Sequence, residues 1–213
     1  MANVTHSTRT DPDLHEPKGV STASAGRVAQ ADGAGDTVWT RPMDLIASID
    51  NESGTSETWT GLSAYRELII SVENITNTSE TYLLFQLYST SGAAWRTSGY
   101  LNSAINNGND YDNDAINAEG LAFGLTRDNG RDYFNGIIRI SNFNDASRKT
   151  SHHATGVVTK TNYITSSTTP GDLFPFAITG LYNTAEAHEG IRFRVKGGAS
   201  FSELYATIWG IKS

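Results

Sequence analysis

Four short segments of this sequence carry side chains of the types that serve catalysis, metal binding or ligand stacking. The first, Gly61-Leu-Ser-Ala-Tyr65, resembles a hydrolase nucleophile elbow. It lacks the second glycine and precedes a strand, whereas that motif joins a strand to a helix, so we interpret it as a turn. Dinucleotide-binding, Walker A and H-E-x-x-H motifs are absent from the sequence, and the chain has no cysteine.

The second segment is the Asn/Asp run from Asn106 to Asp114. Asp110, Asp112 and Asp114 alternate as the first ligands of a Ca²⁺ loop do. The sixth loop position is Ala115 instead of glycine, and the twelfth is Leu121 instead of a bidentate glutamate. We therefore predict a solvated loop, because Asn and Asp also hydrogen-bond their own backbone in turns.

The third segment is His152-His153. In a strand, adjacent side chains point to opposite faces, so the two imidazoles cannot ligate one metal within a chain. We interpret them as an ordinary pair on an edge strand. The sequence thus nominates no metal site and no cofactor.

Aromatic side chains between predicted strands are the fourth group. Trp59, Trp95, Tyr100 and Tyr111 fall in loop-like segments. We expect them to pack under loops or at subunit contacts, and the alternative is that they stack on sugar rings. No pair of carboxylates suited to glycoside hydrolysis is indicated, so we predict no catalytic residue and a protein that is not an enzyme.

The elements that would position these residues are short strands separated by Asn, Gly, Ser and Asp. Alternation in segments such as Leu68–Val72 and Ile191–Val195 indicates one buried and one solvated face. Residues 42–213 are predicted to form an all-β, antiparallel two-sheet jelly-roll sandwich. The predicted strands are Met43–Ile49, Glu67–Val72, Thr81–Tyr88, Gly120–Leu125, Tyr133–Ile140, Ala154–Ile164, Leu173–Leu181, Gly190–Val195 and Glu203–Ile211.

The first forty residues differ from the rest. They are too poor in large apolar side chains to offset their own ordering entropy, so we expect residues 1–41 to be an extended arm that folds on a partner. Arg27–Asp32 is predicted to pair with Val38-Trp39 across Gly33–Gly35 as a short hairpin. Two strands alone are marginal in water.

Charge and hydropathy exclude some classes of partner. The chain has 16 basic and 23 acidic residues, a net charge of −7, and its densest basic stretch is Arg192, Arg194 and Lys196. We therefore expect no nucleic-acid binding. The sequence has no apolar stretch of membrane-spanning length and begins without a secretory signal, so we expect no membrane association and synthesis in a cytoplasm.

Residues 11–39 resemble the N-terminal arm of many tailed-bacteriophage structural proteins. The matching pattern is His15-Glu-Pro-Lys-Gly19, a stretch of small residues to Gly26, and a short hairpin that ends at Trp39. The remainder is similar to the jelly-roll module that follows such arms, with cues at Gly61–Tyr65, Tyr88–Tyr100 and Leu204–Ser213. The arm is the more specific of the two signatures.

This resemblance implies a virion component without enzyme activity, made in a host cytoplasm. We predict a capsid decoration or head-fibre protein on the phage head, docked on the major capsid protein through residues 14–19 (Leu14, His15, Glu16, Pro17, Lys18 and Gly19). The alternative is a tail-associated module that binds a receptor or a host surface glycan.

We also predict a homotrimer. Three hairpins around one axis would let Val28, Val38 and Trp39 share a small apolar core that one chain cannot close. Three-fold positions of an icosahedral shell favour the same number of copies.

Overall fold

The chain divides into two units, residues 1–44 and 45–213, close to the predicted boundary between residues 41 and 42. The computed structural model describes residues 28–31, 37–40, 43–50, 53–78, 81–106, 109–111, 119–126, 132–160 and 173–212. For a few of these it describes the backbone alone, namely 28–31, 37–40, 105–106, 109–111, 125–126, 132, 160 and 173–174.

In the first unit, two short strands pair with each other. β1 (Val28–Ala31) is antiparallel to β2 (Thr37–Thr40), with Val28 opposite Thr40 and Ala31 opposite Thr37. Together they form a separate two-stranded sheet, as the sequence predicts.

The second unit is built of antiparallel strands, and its described residues include no α-helix. A single 3₁₀ turn, Lys196–Gly198, precedes the last strand. The strands are β3 (Asp44–Ile49), β4 (Ser56–Thr60), β5 (Tyr65–Asn77), β6 (Thr81–Ser89), β7 (Ala94–Trp95), β8 (Tyr100–Asn106), β9 (Asn109–Tyr111), β10 (Leu121–Thr126), β11 (Asp132–Ser141), β12 (Lys149–Lys160), β13 (Leu173–Ala185), β14 (His188–Val195) and β15 (Phe201–Lys212).

These strands form two sheets that pack face to face. Within the described ranges, the eight-stranded sheet has the order β3-β15-β5-β11-β12-β13-β8-β9. The five-stranded sheet has the order β10-β6-β14-β4, and β7 pairs with the end of β6. The chain passes repeatedly from one sheet to the other, except between β6 and β7, between β8 and β9, and in the meander β11-β12-β13. The predicted all-β, antiparallel two-sheet sandwich is confirmed.

The core lies between the sheets and is filled by the inward side chains of both. Phe85, Phe123 and Phe193 form its aromatic centre, with ring centroids 4.6 to 5.5 Å apart. Phe134 of the eight-stranded sheet meets Phe123 edge-on at 5.7 Å, so the rings bridge the two layers. β6, which is apolar on both faces in the sequence, lies inside its sheet between β14 on one side and β10 and β7 on the other.

Each predicted strand overlaps an observed one, and four observed strands were not predicted. β4, β7, β8 and β9 are polar or very short, so they carry little hydrophobic periodicity. All four aromatics that the sequence analysis placed in loops lie in these strands. That part of the interpretation is wrong, because pairing with a neighbour decides these segments more than their own pattern does.

One end of the sandwich, here named the short-loop end, is formed by the connections 61–64, 90–93, 142–148 and 186–187. Backbone hydrogen bonds join these connections to one another. The amide of Thr90 donates to Ala187 at 3.1 Å, and the amide of His188 donates to Phe143 at 2.9 Å. The predicted turn at Gly61–Tyr65 belongs to this end and is closed by the Tyr65 amide, which donates to Leu62 at 3.0 Å.

Candidate ligand-binding surface around Trp95

Trp95 and Arg96 are consecutive residues at the edge of the five-stranded sheet, and their side chains point in opposite directions. Trp95 lies opposite Tyr88 in the pairing of β7 with β6. The Arg96 amide donates to the Leu87 carbonyl at 2.8 Å, which extends the pairing by one residue. Alternation along this backbone directs Trp95 to the outer face of the sheet and Arg96 toward Glu186.

The turn that precedes β7 is shaped around the Arg96 side chain. Ala93 adopts a left-handed conformation, with a φ of 45°. The Gly92 amide donates to the Ser89 hydroxyl at 3.2 Å. A Cβ atom at Gly92 would lie 2.8 Å from Nη2 of Arg96, so a larger residue here would displace the end of the Arg96 side chain.

Arg96 forms a two-fold ion pair with Glu186 of the β13–β14 connection. Its Nε and Nη2 atoms donate to the two carboxylate oxygens, each at 2.6 Å. The Ser89 hydroxyl donates to Oε2 of Glu186 at 2.7 Å. The Arg96 hydrogen bonds, assisted by Ser89, lower the pKa of Glu186 to about 2. The carboxylate is therefore charged at neutral pH and ties β6 and β7 to the β13–β14 connection.

His188 and Thr150 extend this group, which we name the Arg96 cluster (Ser89, Arg96, Thr150, Glu186 and His188). His188 Nε2 lies 3.5 Å from Oε1 of Glu186, and its Nδ1 lies 3.0 Å from the Thr150 hydroxyl. Burial lowers the pKa of His188. A neutral ring with its proton on Nε2 directs that proton toward Glu186, and the one Thr150 hydroxyl proton is shared between Nδ1 and the Asn142 carbonyl, 3.3 Å from the hydroxyl oxygen.

The order of hydroxyl, imidazole and carboxylate in this cluster resembles that of a hydrolase triad. However, Thr150 and His188 are each 0% exposed. A substrate carbonyl cannot reach the Thr150 hydroxyl in this structure. We interpret the cluster as a structural clamp of the short-loop end.

The outward side chains beside the clamp form a surface of aromatic rings and cations. Tyr88 meets Trp95 edge-on, with centroids 5.1 Å apart and planes at 69°. The Arg192 guanidinium lies 4.7 Å from the centroid of the Trp95 ring. Arg192 also donates through Nε to Oε1 of Gln86 at 3.0 Å and through Nη2 to the same oxygen. We name the partly exposed Tyr88, Trp95 and Arg192, together with the buried Gln86 that holds Arg192, the Trp95 surface.

Arg192 is held in place by neutral groups. Gln86 is fixed in turn, because its Nε2 donates to the Glu119 carbonyl at 2.7 Å. Burial lowers the pKa of Arg192, and the charge of Arg194 acts in the same direction. Within the described part of the chain, both hydrogen bonds of the Arg192 side chain end on an amide oxygen. Its positive charge is therefore oriented but not neutralised by these contacts.

The other three predicted stacking residues occupy different environments. Tyr100 is 2% exposed, and its hydroxyl donates to the Arg96 carbonyl at 2.9 Å. A sugar cannot stack on this ring, which supports the Arg96 turn from inside. Trp59 lies opposite Ile191 and is partly buried against the core. Tyr111 lies in β9, and its side chain is outside the described residues.

The predicted capsid-docking residues 14–19 lie outside the described residues. The predicted trimer contacts lie in the two strands of the first unit, Val28 in β1 and Val38 and Trp39 in β2. The surroundings of these three side chains are likewise outside the described part of the chain. In the Ca²⁺-loop candidate, Asp110 lies in β9 instead of a loop, and residues 112–118 are outside the described part of the chain.

The two adjacent histidines point to opposite faces, as expected, but they do not lie on an edge strand. β12 runs between β11 and β13. His152 faces the core, with Nε2 2.5 Å from the Ala122 carbonyl, and its burial lowers its pKa to about 4. His153 is exposed opposite Arg139. The prediction of an edge strand is wrong, because the polar residues around His152 and His153 suggested an exposed strand whereas β12 is central in its sheet.

A polar cleft of about 650 Å³ lies where the eight-stranded sheet meets the short-loop end. It is lined by Arg66, Glu67, Ser141, Asn142, Asn144, Asp145, Ala146 and Arg148. Both of its carboxylates are engaged within the chain. Glu67 accepts from Arg139 at 2.6 and 2.8 Å. Asp145 accepts from the amide and hydroxyl of Ser147 at 2.8 and 2.6 Å, and these bonds lower its pKa.

The sequence indicated Trp95 as a possible stacking residue but gave no signal for the residues that position it. Arg96 and Glu186 are 90 residues apart, and Gln86 and Arg192 are 106 apart. The alternation of Arg192, Arg194 and Lys196 was visible in the sequence and indicated one face of a strand. Nothing in the sequence indicated that Trp95 would face the same way.

Comparison with known proteins gives no relative for this chain, because no family model and no curated protein matches it. Across the described ranges, no three His, Asp or Glu side chains converge as a metal site would require. In the same ranges, none of the helical segments has the length and hydropathy needed to cross a lipid bilayer.

Proposed function

We propose that this protein is a non-enzymatic phage decoration protein whose N-terminal unit docks on the capsid shell while the sandwich is displayed. The division of the chain at residues 44 and 45 is the observation that carries the proposal. The sandwich closes a core with its own two sheets, and residues 1–44 form the other compact unit. A separate body poor in large apolar side chains suits a role as an attachment device.

The first unit also supports this role through its secondary structure. β1 and β2 form a sheet of only two short strands. Such a pair gains stability from a third strand or from a second chain. A shell protein, or further copies of this chain, would supply that partner.

The test is co-sedimentation with empty capsids and, separately, with tails of the phage that encodes the chain. We expect the full chain to sediment with capsids and residues 45–213 to stay in the supernatant. Circular dichroism and a cooperative melting transition would establish that the truncated protein is folded. Decoration of capsids by residues 45–213 at full occupancy would contradict docking through the arm.

Binding to tails instead of capsids would favour the tail-associated alternative. Within the arm, replacing His15, Pro17 and Lys18 by alanine should reduce capsid occupancy. The matched control replaces Thr5, Thr8 and Thr10 by alanine in the same arm. Equal loss in both variants would contradict a specific role for the residues 14–19.

Trimer formation is the second part of this proposal. Multi-angle light scattering should give three copies for the full chain and one for residues 45–213. Trp39→Ala should weaken the trimer while the melting transition of the sandwich is retained. A monomer both in solution and on the particle would contradict the trimer and leave the arm as a single-chain tether.

A further inference from the structure

We propose that the Trp95 surface binds an acidic carbohydrate, that is, a sugar unit that carries a carboxylate. This inference concerns the sandwich alone and goes beyond the decoration role, because it does not depend on where the protein sits on the particle. It is carried by three observations on the outer face of the five-stranded sheet: a row of cations, an aromatic pair, and a guanidinium that is already oriented.

The row of cations stands out against the charge of the whole chain. The protein has a net charge of −7, yet Arg192 and Arg194 of β14 are followed by Lys196, the first residue of the 3₁₀ turn. Arg192 and Arg194 share a face because they are two positions apart in one strand, and the Lys196 Nζ lies 5.5 Å from the ring of Tyr82, which is on the same face of β6 as Gln86. They therefore place a local positive potential on one side of an acidic protein.

The neighbours of this row on the same face are uncharged. Cross-strand partners share a face, and Arg192 lies opposite Gln86 on one side and Thr58 on the other. Arg194 lies opposite Leu84 and Ser56. The Glu119 carboxylate lies beside the end of this row, because its Oε2 is 3.5 Å from the Gly197 amide, one residue after Lys196. An anionic ligand would thus meet cations flanked mainly by neutral groups.

The aromatic pair supplies the second element of sugar recognition. A pyranose ring has one face of C–H groups, and this face packs on the electron-rich face of an indole or phenol ring. Trp95 and Tyr88 are both partly exposed and meet edge-on at 5.1 Å. Their edge-on packing holds the Trp95 ring at a fixed angle to the sheet. Such rings offer large contact area at low cost in side-chain entropy.

Arg192 joins the two elements. Its Nε–H and one Nη2–H donate to Gln86. Among the described residues, no hydrogen bond uses the other N–H groups of the guanidinium, so a ligand can accept from them. A carboxylate accepts two parallel hydrogen bonds from such a fork. The Arg192 guanidinium lies over one face of the Trp95 ring, 4.7 Å from its centroid, so a sugar whose carboxylate binds Arg192 would meet the indole at its edge or on its other face.

Other anionic partners fit the surface less well. Duplex or single-stranded nucleic acid needs a longer basic track than three cations, and the chain as a whole repels polyanions. An acidic peptide would use the cations but would have no flat face for Trp95. A neutral sugar would use Trp95 but would leave the oriented guanidinium without a partner.

The test is isothermal titration of the full-length protein with four oligosaccharides. Trigalacturonate carries uronic acids, and its methyl ester is the matched neutral ligand. Sialyllactose carries a sialic acid, and lactose is its neutral counterpart. We expect one of the two acids to bind about tenfold or more tightly than its neutral counterpart, with an affinity that falls at high salt. The acid that binds identifies the sugar class.

Variants locate the binding site on the molecule. Trp95→Ala and Arg192→Gln should each weaken binding by about tenfold, and Arg192→Lys should recover only part of it because the fork is lost. Arg148→Gln is the matched control, since it removes an exposed arginine from the cleft at the other sheet. If Trp95→Ala does not fold, Arg192→Gln still decides the outcome, because it keeps the aromatic pair.

Three outcomes would overturn the proposal. In the first, neither acid binds at millimolar concentration. In the second, binding is unchanged in both Trp95→Ala and Arg192→Gln. In the third, hexaglutamate binds as tightly as the acidic sugars and is equally sensitive to the variants, which would assign the surface to an acidic polypeptide.

Discussion

Two Arg–Glu pairs among the described residues have similar geometry but different surroundings. Arg96 and Glu186 are joined by two hydrogen bonds of 2.6 Å, and Arg139 and Glu67 by contacts of 2.6 and 2.8 Å. The two carboxylates are 9% and 12% exposed, but the Arg96 side chain is 29% exposed and that of Arg139 is 62% exposed. The difference between the pairs therefore lies mainly in the guanidinium and in what else each pair holds.

The two pairs have similar bond lengths but connect different kinds of structural element. Arg139 and Glu67 link β11 and β5, which already share a ladder of backbone hydrogen bonds. Arg96 and Glu186 link β7 to the β13–β14 connection, with Ser89 bound to the same carboxylate. An ion pair that bridges separate elements contributes order that no ladder supplies. An ion pair laid across an existing ladder is largely redundant with it.

The largest effect is expected from Glu186→Gln. The substitution keeps the shape but leaves the Arg96 guanidinium and the Ser89 hydroxyl without their charged partner. We expect a loss of about 2 kcal/mol in the free energy of unfolding, less than for a fully buried pair because the Arg96 side chain is 29% exposed. Urea unfolding followed by tryptophan fluorescence measures it. A loss below about 1 kcal/mol would mean that the Arg96 cluster is no clamp.

Acid should remove this stabilisation in a defined range of pH. The pKa of Glu186 is lowered from 4.5 to about 2, so the unfolded chain takes up its proton first as the pH falls. Stability is then lost between about pH 4.5 and 2. The pKa of His152 is lowered from 6.5 to about 4, which adds an earlier loss between those values.

Melting temperatures measured from pH 7 to 2 would separate the two groups. Glu186→Gln should flatten the curve below pH 4.5 and leave the loss between pH 6.5 and 4 in place. His152→Gln should reduce the loss between pH 6.5 and 4, leaving the part that comes from the lowered pKa of His188, and should keep the loss below pH 4.5. A wild-type melting temperature that stays constant from pH 6.5 to 3 would contradict both assignments.

A smaller effect is expected from Gly92→Ala. The added Cβ meets the far end of the Arg96 side chain at 2.8 Å, so the guanidinium must shift away from Glu186. We expect a loss of about 1 kcal/mol, since a long side chain adapts more readily than backbone does. Gly92→Ala in the Glu186→Gln background is the control, because the Arg96–Glu186 pair is already broken there. The measurement is again urea unfolding. If Gly92→Ala costs as much in that background as in the wild type, the close approach to Arg96 is unimportant.

The smallest effect is expected from Glu67→Gln, the counterpart of the first substitution. We expect a change of about 0–1 kcal/mol, with the exposed Arg139 returning to water. Adding 1 M NaCl should reduce even this difference. A double-mutant cycle on each pair measures the two coupling energies directly. Equal coupling energies for the two pairs would remove the contrast drawn between them.

The sequence predicted the parts of the fold whose signal is local. Alternating apolar residues located the long strands, including β5 and β14, and the apolar run at Thr81–Tyr88 correctly indicated a strand in the interior of its sheet. The short strands β7 and β9 have no such signal. Their pairing depends on a neighbour that the chain reaches only after folding.

The candidate site shows the same division. Trp95 was nominated from residue type alone, together with Trp59, Tyr100 and Tyr111. Burial then distinguishes them, because Tyr100 lies inside the fold and Trp95 lies outside it. Whether a ring faces the core or the solvent depends on the parity of its strand, and one residue of register reverses it.

The sequence by itself determined that residues beyond about 42 form strands with one apolar face and that the chain carries excess negative charge. Both are properties of composition and of spacing between near neighbours. Only the tertiary structure decided that Arg96 meets Glu186 and that Arg192 lies beside Trp95. Such contacts join residues some 90 or more positions apart, and their free energy depends on the burial and orientation that two packed sheets impose.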